Sequence, residues 1–197
     1  MLALIMAGGR GSRLQMGEKG LVRLCDRPLI EYVLDTLENS GLEPVVITTP
    51  RTPYTANYCR VREIDQICTE GIGYVEDLVE AVEILGEKGP VLIVCADIPG
   101  LRPEHLDYIL SRYVASGNSA CSVWIPSSLV PVQGCMQSYT REISGVEAVP
   151  AGLNILLGSA ITREQDELCI LIDDPLLSFN INNQAELIAA EKFFSRS

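Results

Sequence analysis

Gly8, Gly9 and Gly11 follow directly on an apolar run, LALIMA at 2–7, and Arg10, Arg13 and Lys19 lie among or just beyond them. Backbone amides at a glycine turn can approach an anion closely, and guanidinium and ammonium groups add positive charge. This spacing therefore suits the holding of phosphate, through Ala7 to Arg13 and Lys19. Two well-known phosphate loops do not fit. A P-loop closes on Gly-Lys followed by Ser or Thr, and the chain contains no Gly-Lys pair. The dinucleotide pattern G-x-G-x-x-G fits Gly9 and Gly11 but meets Leu14 at its third position, where a glycine lets helix and strand pack closely. A glycine turn beside a solvated basic face is the ordinary alternative; its position immediately after the first strand favours phosphate.

Asp97 closes the run VLIVCAD at 91–97. A carboxylate at a strand end faces the ligand edge of a parallel sheet and is a hard oxygen donor suited to magnesium; a turn or capping Asp before Ile98-Pro99 is the structural alternative. Asn154, Asn180, Asn182 and Asp173 all remain open as a second oxygen ligand. Base selection is expected from ITTP at 47–50, with Thr48 and Thr49, and from EGIGYVEDL at 70–78, with Gly73 and the first-turn acids Glu76 and Asp77. A carboxylate or carbonyl there can accept from guanine N1 and N2, which adenine cannot match. The ordinary roles are strand-end turn residues for the threonines and helix-dipole acids for Glu76 and Asp77, and for the two acids the dipole role is the expectation. Gly152 and Asn154, in VPAGLN at 149–154, leave backbone room beside a large ligand or merely enter a strand. His105 is expected on a solvated helix face, Trp124 in the core, and the pairs Asp166-Glu167 and Asp173-Asp174 as surface charge.

These residues need a scaffold. LALIMA, PVVIT (44–48), PVLIVCA (90–96), ACSVWI (120–125), GLNILL (152–157) and LCILI (168–172) are short and apolar at consecutive positions, as strands covered on both faces are. Helical patterns lie between or after them at 28–41, 74–86, 102–117 and 182–194; the first opens on Pro28 and stops at Gly41. Alternation of this kind predicts an α/β fold, a mostly parallel sheet with helices on both sides. The stretch 125–152 is turn-rich and poorly periodic, which suggests an excursion covering the substrate. With 197 residues, 47% of them hydrophobic, one domain over 1–197 is expected. A net charge of −11 argues against nucleic acid or an anionic membrane as partner, so any phosphate is held locally. Seven scattered cysteines with no C-x-x-C spacing argue against a disulfide framework or zinc and for a reducing compartment, with most thiols buried. No run is long enough to span a bilayer and the first is too short for a leader, so a cytoplasmic location is expected.

The stretch LIMAGGRGSRLQMGEKGLVRLCDRPLIEYVL at 4–34 resembles the opening signature of the nucleotidyltransferases that activate sugar phosphates and pterin cofactors. VCADIPGL at 94–101 is similar to that family's strand-end metal aspartate, and FNINNQAEL at 179–187 to its Asn-x-Asn before the last helix. GYVEDL (73–78) and VPAGLNIL (149–156) most resemble the archaeal guanylyltransferases that act on adenosylcobinamide phosphate in cobalamin biosynthesis, whereas Gly20 after Lys19 resembles the molybdopterin guanylyltransferases. The resemblance implies a three-layer αβα sandwich around a mixed, mostly parallel sheet of about seven strands, of the nucleotide-diphospho-sugar transferase type. It also implies GTP and a corrinoid phosphate acceptor as substrates and Mg2+ as cofactor at Asp97. Gly8 to Ser12 with Arg13 would hold the β- and γ-phosphates, and Lys19 the α-phosphate. Molybdenum-cofactor or sugar-phosphate nucleotidyltransfer stays open as the alternative, as does a GTP-binding regulator without turnover. The oligomeric state is not fixed by these residues, a homodimer being the working expectation.

Overall fold

Runs that are apolar at consecutive positions must be covered on both faces, and the fold covers them. The computed structural model describes residues 1–9, 16–130 and 139–195. Among these the order is β1 (Leu2–Met6), β2 (Arg23–Leu24), β3 (Arg27–Pro28), α1 (Leu29–Asn39), β4 (Glu43–Thr48), α2 (Pro53–Val61), β5 (Gln66–Cys68), α3 (Tyr74–Leu85), β6 (Pro90–Cys95), α4 (Pro103–Ser116), β7 (Ala120–Pro126), β8 (Arg141–Ile143), β9 (Val146–Leu157), β10 (Glu167–Leu171) and α5 (Gln184–Phe194). Along β1, Ala3 and Ile5 enter one apolar layer and Leu4 the other; along β6, Leu92 and Val94 separate from Val91 and Ile93 in the same way. Residues of α1, α2 and α4 share the first layer, and Leu78, Ala81 and Val82 of α3 the second. The result is the expected αβα sandwich.

The main sheet runs β10-β7-β9-β6-β1-β4-β5, with β8 paired to β9. Its neighbours are parallel except where β9 lies antiparallel to β6, β7 and β8. From β1 the chain first builds outward through β4 and β5, then crosses by α3 to lay β6 on the other flank of β1. The carboxyl ends of β1 and β6 therefore enclose a switch point, the place where ligands bind open α/β sheets.

Three expectations need correction. Much of 125–152 is sheet: β8 and β9 form a hairpin across Ser144 and Gly145, both at positive φ, as a two-residue turn between twisted strands requires; 131–138 lie outside the described residues. His105 is 8% exposed rather than solvated, its Nδ1 accepting the Arg102 N–H at 3.2 Å and its Nε2 lying 3.0 Å from Asp174 Oδ2, so Asp174 is not a plain surface charge. Of the described cysteines, Cys59 and Cys121 are buried while Cys25 and Cys68 are exposed, so burial is not general. Trp124 is in the core, its Nε1–H donated to Ser122 Oγ at 2.7 Å. Among the described residues no helix is long and apolar enough to cross a membrane.

Candidate active site

A cleft of about 300 Å³ opens at the switch point, lined by Met6 to Gly9 at the end of β1 and by Cys95 to Asp97 at the end of β6. Lys19 also lines it. Its ammonium pairs with Asp97 Oδ2 and donates to Asn182 Oδ1 at 2.5 Å. Asn182 is itself fixed, its Nδ2 donating to the Asn180 carbonyl and to Asn180 Oδ1 at 3.0 and 2.9 Å, and the Ile181 N–H donates to the Asp97 backbone carbonyl at 3.2 Å. The 180–182 strip, 85 residues downstream of Cys95 at its closest, is thus latched onto the end of β6. Asp97 is 3% exposed, and its Oδ1 has no hydrogen-bond partner among the described residues. A buried carboxylate oxygen without a donor is costly, and a hard cation is one partner that would satisfy it.

Close approach explains Gly8 and Gly71, whereas a Cβ on Gly9 would meet nothing within 4 Å. A Cβ on Gly8 would lie 2.6 Å from Thr49 Cγ2, and one on Gly71, at φ +77°, would lie 3.1 Å from Thr49 Cβ. Thr49 is the brace between them, its hydroxyl donating to the Gly8 carbonyl at 3.2 Å. Thr48 faces the sheet instead, donating to the Ile67 carbonyl at 3.3 Å. Neither threonine lines the cleft; Gly73 does. Gly152, at φ +79°, comes against β6, where a Cβ would lie 3.4 Å from Cys95 Cβ. Asn154 pairs with Ile93 in the sheet and faces the Tyr74 hydroxyl. Arg10, Gly11, Ser12 and Arg13 lie outside the described residues. Asp173 follows β10, which β7 and β9 separate from β6.

Four cleft residues or neighbours were not foreseen. The Tyr74 hydroxyl lies beside Cys95 and Asn154, and burial pushes it well above the ordinary phenol range although 46% of the residue is exposed: the ring edge is wet and the hydroxyl end is not. Burial likewise pushes the Cys95 thiol up, only partly offset by the Lys19 charge, so it is a neutral wall and not a nucleophile. Arg51 lines the cleft on the Thr49 side. Glu18, 8% exposed, accepts the N–H groups of Tyr54 and Thr55 in the first turn of α2. Adjacency to Lys19 is the one sequence signal that pointed to Glu18.

Residues 3–153 match the family model described as the MobA-like NTP transferase domain. The chain belongs to this family. As a MobA-like NTP transferase it is a nucleotidyltransferase, and its similarity extends past the matched region. It is 34% identical over 207 residues to the adenosylcobinamide-phosphate guanylyltransferase of Methanocaldococcus jannaschii, covering 100% of this chain and 98% of that protein. It is 31% identical over 196 residues to a probable molybdenum cofactor guanylyltransferase of Pyrococcus horikoshii, covering 95% and 97%. Among solved structures, molybdopterin-guanine dinucleotide biosynthesis protein A from Archaeoglobus fulgidus superposes with a TM-score of 0.71 at 22% identity over 100% of both chains, which shows the shared fold.

Proposed function

We propose that this MobA-like NTP transferase moves GMP from GTP to the phosphate of adenosylcobinamide phosphate, releasing pyrophosphate. The full-length 34% identity to the Methanocaldococcus jannaschii enzyme carries the choice of substrates. An acceptor phosphate oxygen forms a bond to the α-phosphorus of GTP while the bond from that phosphorus to the α,β-bridging oxygen breaks, and pyrophosphate leaves with that electron pair. A phosphate monoester is already ionised at neutral pH, so no general base is needed. The obstacle is the meeting of two polyanions in a molecule of net charge −11.

The chain's residues answer that obstacle with positioning and local positive charge. The Gly8 and Gly9 backbone, with Arg10 to Arg13, is assigned to the β- and γ-phosphates. Lys19, held by Asp97 and Asn182, is assigned to the charge that grows on the α-phosphate. Its pairing keeps it extended over the cleft floor before substrate arrives, so no side-chain ordering is left for the reactive moment. The unpartnered Asp97 Oδ1 fits one coordination position of magnesium, which binds through one or two carboxylates with phosphates and water. When bound there, magnesium supplies further positive charge beside the α-phosphate and the leaving pyrophosphate. Gly152 and Asn154, on the β9 side, are assigned to the acceptor.

Calorimetric titration with GTP, ATP, CTP and UTP, followed by pyrophosphate release with adenosylcobinamide phosphate, tests this. GTP alone should bind tightly and the corrinoid should support turnover. Molybdopterin is the second reading, favoured by the 31% identical Pyrococcus horikoshii relative. Turnover with molybdopterin and none with the corrinoid decides for it.

A further inference from the structure

Asp77 is expected from its place in the first turn of α3 to be a solvated, dipole-compensating acid like its exposed neighbour Glu76. It is instead 7% exposed and lines the cleft. Its Oδ1 accepts the Gly71 N–H at 2.8 Å, and its Oδ2 has no hydrogen-bond partner among the described residues. Unlike Asp97 Oδ1, this oxygen is not sealed off but faces the cleft, an acceptor fixed in place by the Gly71 bond and open to a donor that arrives with a ligand. Around it Gly8, Gly71 and Gly73 line the same end of the cleft, the first two seated on Thr49 and the third on Glu76, so the wall that Asp77 faces is built of close-packed backbone.

The geometry points to Asp77 as the residue that reads the purine edge, its Oδ2 accepting from N1–H and the 2-amino group of guanine. This rests on GTP being the substrate. Guanine sets two donors side by side on that edge. Adenine puts an acceptor at N1 and a hydrogen at C2, so it leaves the carboxylate unsatisfied and repels it. Selection then arises chiefly from the penalty on the wrong base, the stronger way to discriminate by polar groups. Asp77 touches the base and not the reacting phosphorus, so it determines specificity and carries no chemical step.

The test is Asp77→Asn in the full-length protein. The Asn carbonyl oxygen still accepts from Gly71, while the second oxygen becomes an NH2 donor that clashes with guanine's donors and matches the C2 carbonyl of xanthine. For Asp77→Asn, kcat/KM with GTP should fall by roughly 10²-fold and kcat/KM with XTP should rise above it. A purely structural Asp77 would lower every nucleotide alike and leave the GTP to XTP ratio unchanged, which overturns the inference. Wild-type protein gives a second arm that does not depend on the variant folding. ITP keeps N1–H and lacks the 2-amino group, so it should bind about tenfold more weakly than GTP, and ATP weaker still. Equal binding of ITP and GTP overturns the assignment to the 2-amino edge. Wild-type protein that prefers CTP or UTP ends the GTP reading itself, whereas a guanine-selective wild type with an unaltered Asp77→Asn ratio ends only the role of Asp77.

Discussion

Glu18 receives the Tyr54 and Thr55 N–H groups at 2.8 and 2.6 Å, one on each carboxylate oxygen. Thr49, at the other end of the same corner, holds the Gly8 carbonyl. The segment before the glycine turn and the segment carrying Lys19 are therefore fastened to one stretch of chain, 49–55. Removing the Glu18 clamp frees Lys19 to drift, and an ångström of misplacement costs about 10² in rate. Glu18→Ala should lower kcat by that factor with KM for GTP little changed. Adding Lys19→Ala should produce no further loss beyond Lys19→Ala alone. Steady-state kinetics on the two single variants and the double variant check this; simple additivity would show that Glu18 acts on the fold and not through Lys19.

Gly8 and Thr49 form a second pair that can be tested by compensation. Gly8→Ala drives a methyl into Thr49 Cγ2, and Thr49 is 2% exposed and stiff at χ1. GTP affinity should fall by about tenfold and stability by ~1–2 kcal/mol. Thr49→Ser removes the offending methyl and keeps the hydroxyl that holds the Gly8 carbonyl. Gly8→Ala with Thr49→Ser should recover most of the affinity, as read by calorimetry.

Asp97→Ala separates charge balance from metal binding. It deletes the oxygen that pairs with Lys19 and the buried oxygen that has no protein partner. GTP with magnesium should raise the melting temperature of the wild type more than GTP alone, and the extra increment should vanish in Asp97→Ala. Chelation of magnesium should stop pyrophosphate release by the wild type. A metal increment retained in Asp97→Ala would move the ligand elsewhere.

Acid stability should track Glu31, which joins α1 to α2. The Tyr58 hydroxyl donates to its carboxylate; burial opposes the effect, but Arg27 and Arg62 add to it, and the Glu31 pKa sits below its ordinary 4.5. In return burial and Glu31 push the Tyr58 hydroxyl up to about 12. A carboxylate with a lowered native pKa contributes stability above its unfolded value, and that stability is lost as pH falls through the native value. Glu31→Gln should therefore be about 1 kcal/mol less stable than wild type at pH 7, with the gap closing below about pH 4.5. Urea unfolding at a series of pH values reads it.

The sandwich was legible because the centres of β1, β4, β6 and β7 are buried on both faces and keep apolar runs there, and the edge strand β10 carries a similar run although only Ile170 in it is buried. What escaped lacked that pattern. In α2 only Thr55 and Cys59 are buried, so PYTANYCRV shows no apolar stripe, and its start is marked only by Pro53. The reversal of β9 leaves no trace in its composition, since a strand flanked on both sides reads alike in either direction. The glycines and Lys19 to which the proposed phosphate chemistry is assigned stand close together in sequence and could be picked out by spacing. Asn182 against Lys19 and Glu18 against α2 join residues 163 and 36 or 37 apart, and such pairings exist only once the sheet has been assembled. Asp77 was read as a surface acid because helix position tells nothing about which first-turn carboxylate bends inward.

β9 runs against its neighbours, so its middle, at Gly152, meets the rim beside Cys95 while its leading half continues upward with β7 and β8. Among the described residues that upper ledge is knitted together by its own three strands and pairs with none of β1, β4 or β5. Changes around the Ser144-Gly145 bend can reshape what leans over the rim without disturbing the Gly8, Lys19 and Asp97 side to which the triphosphate is assigned in the proposed reaction. A protein built this way can drift in its choice of second substrate while its first remains the same.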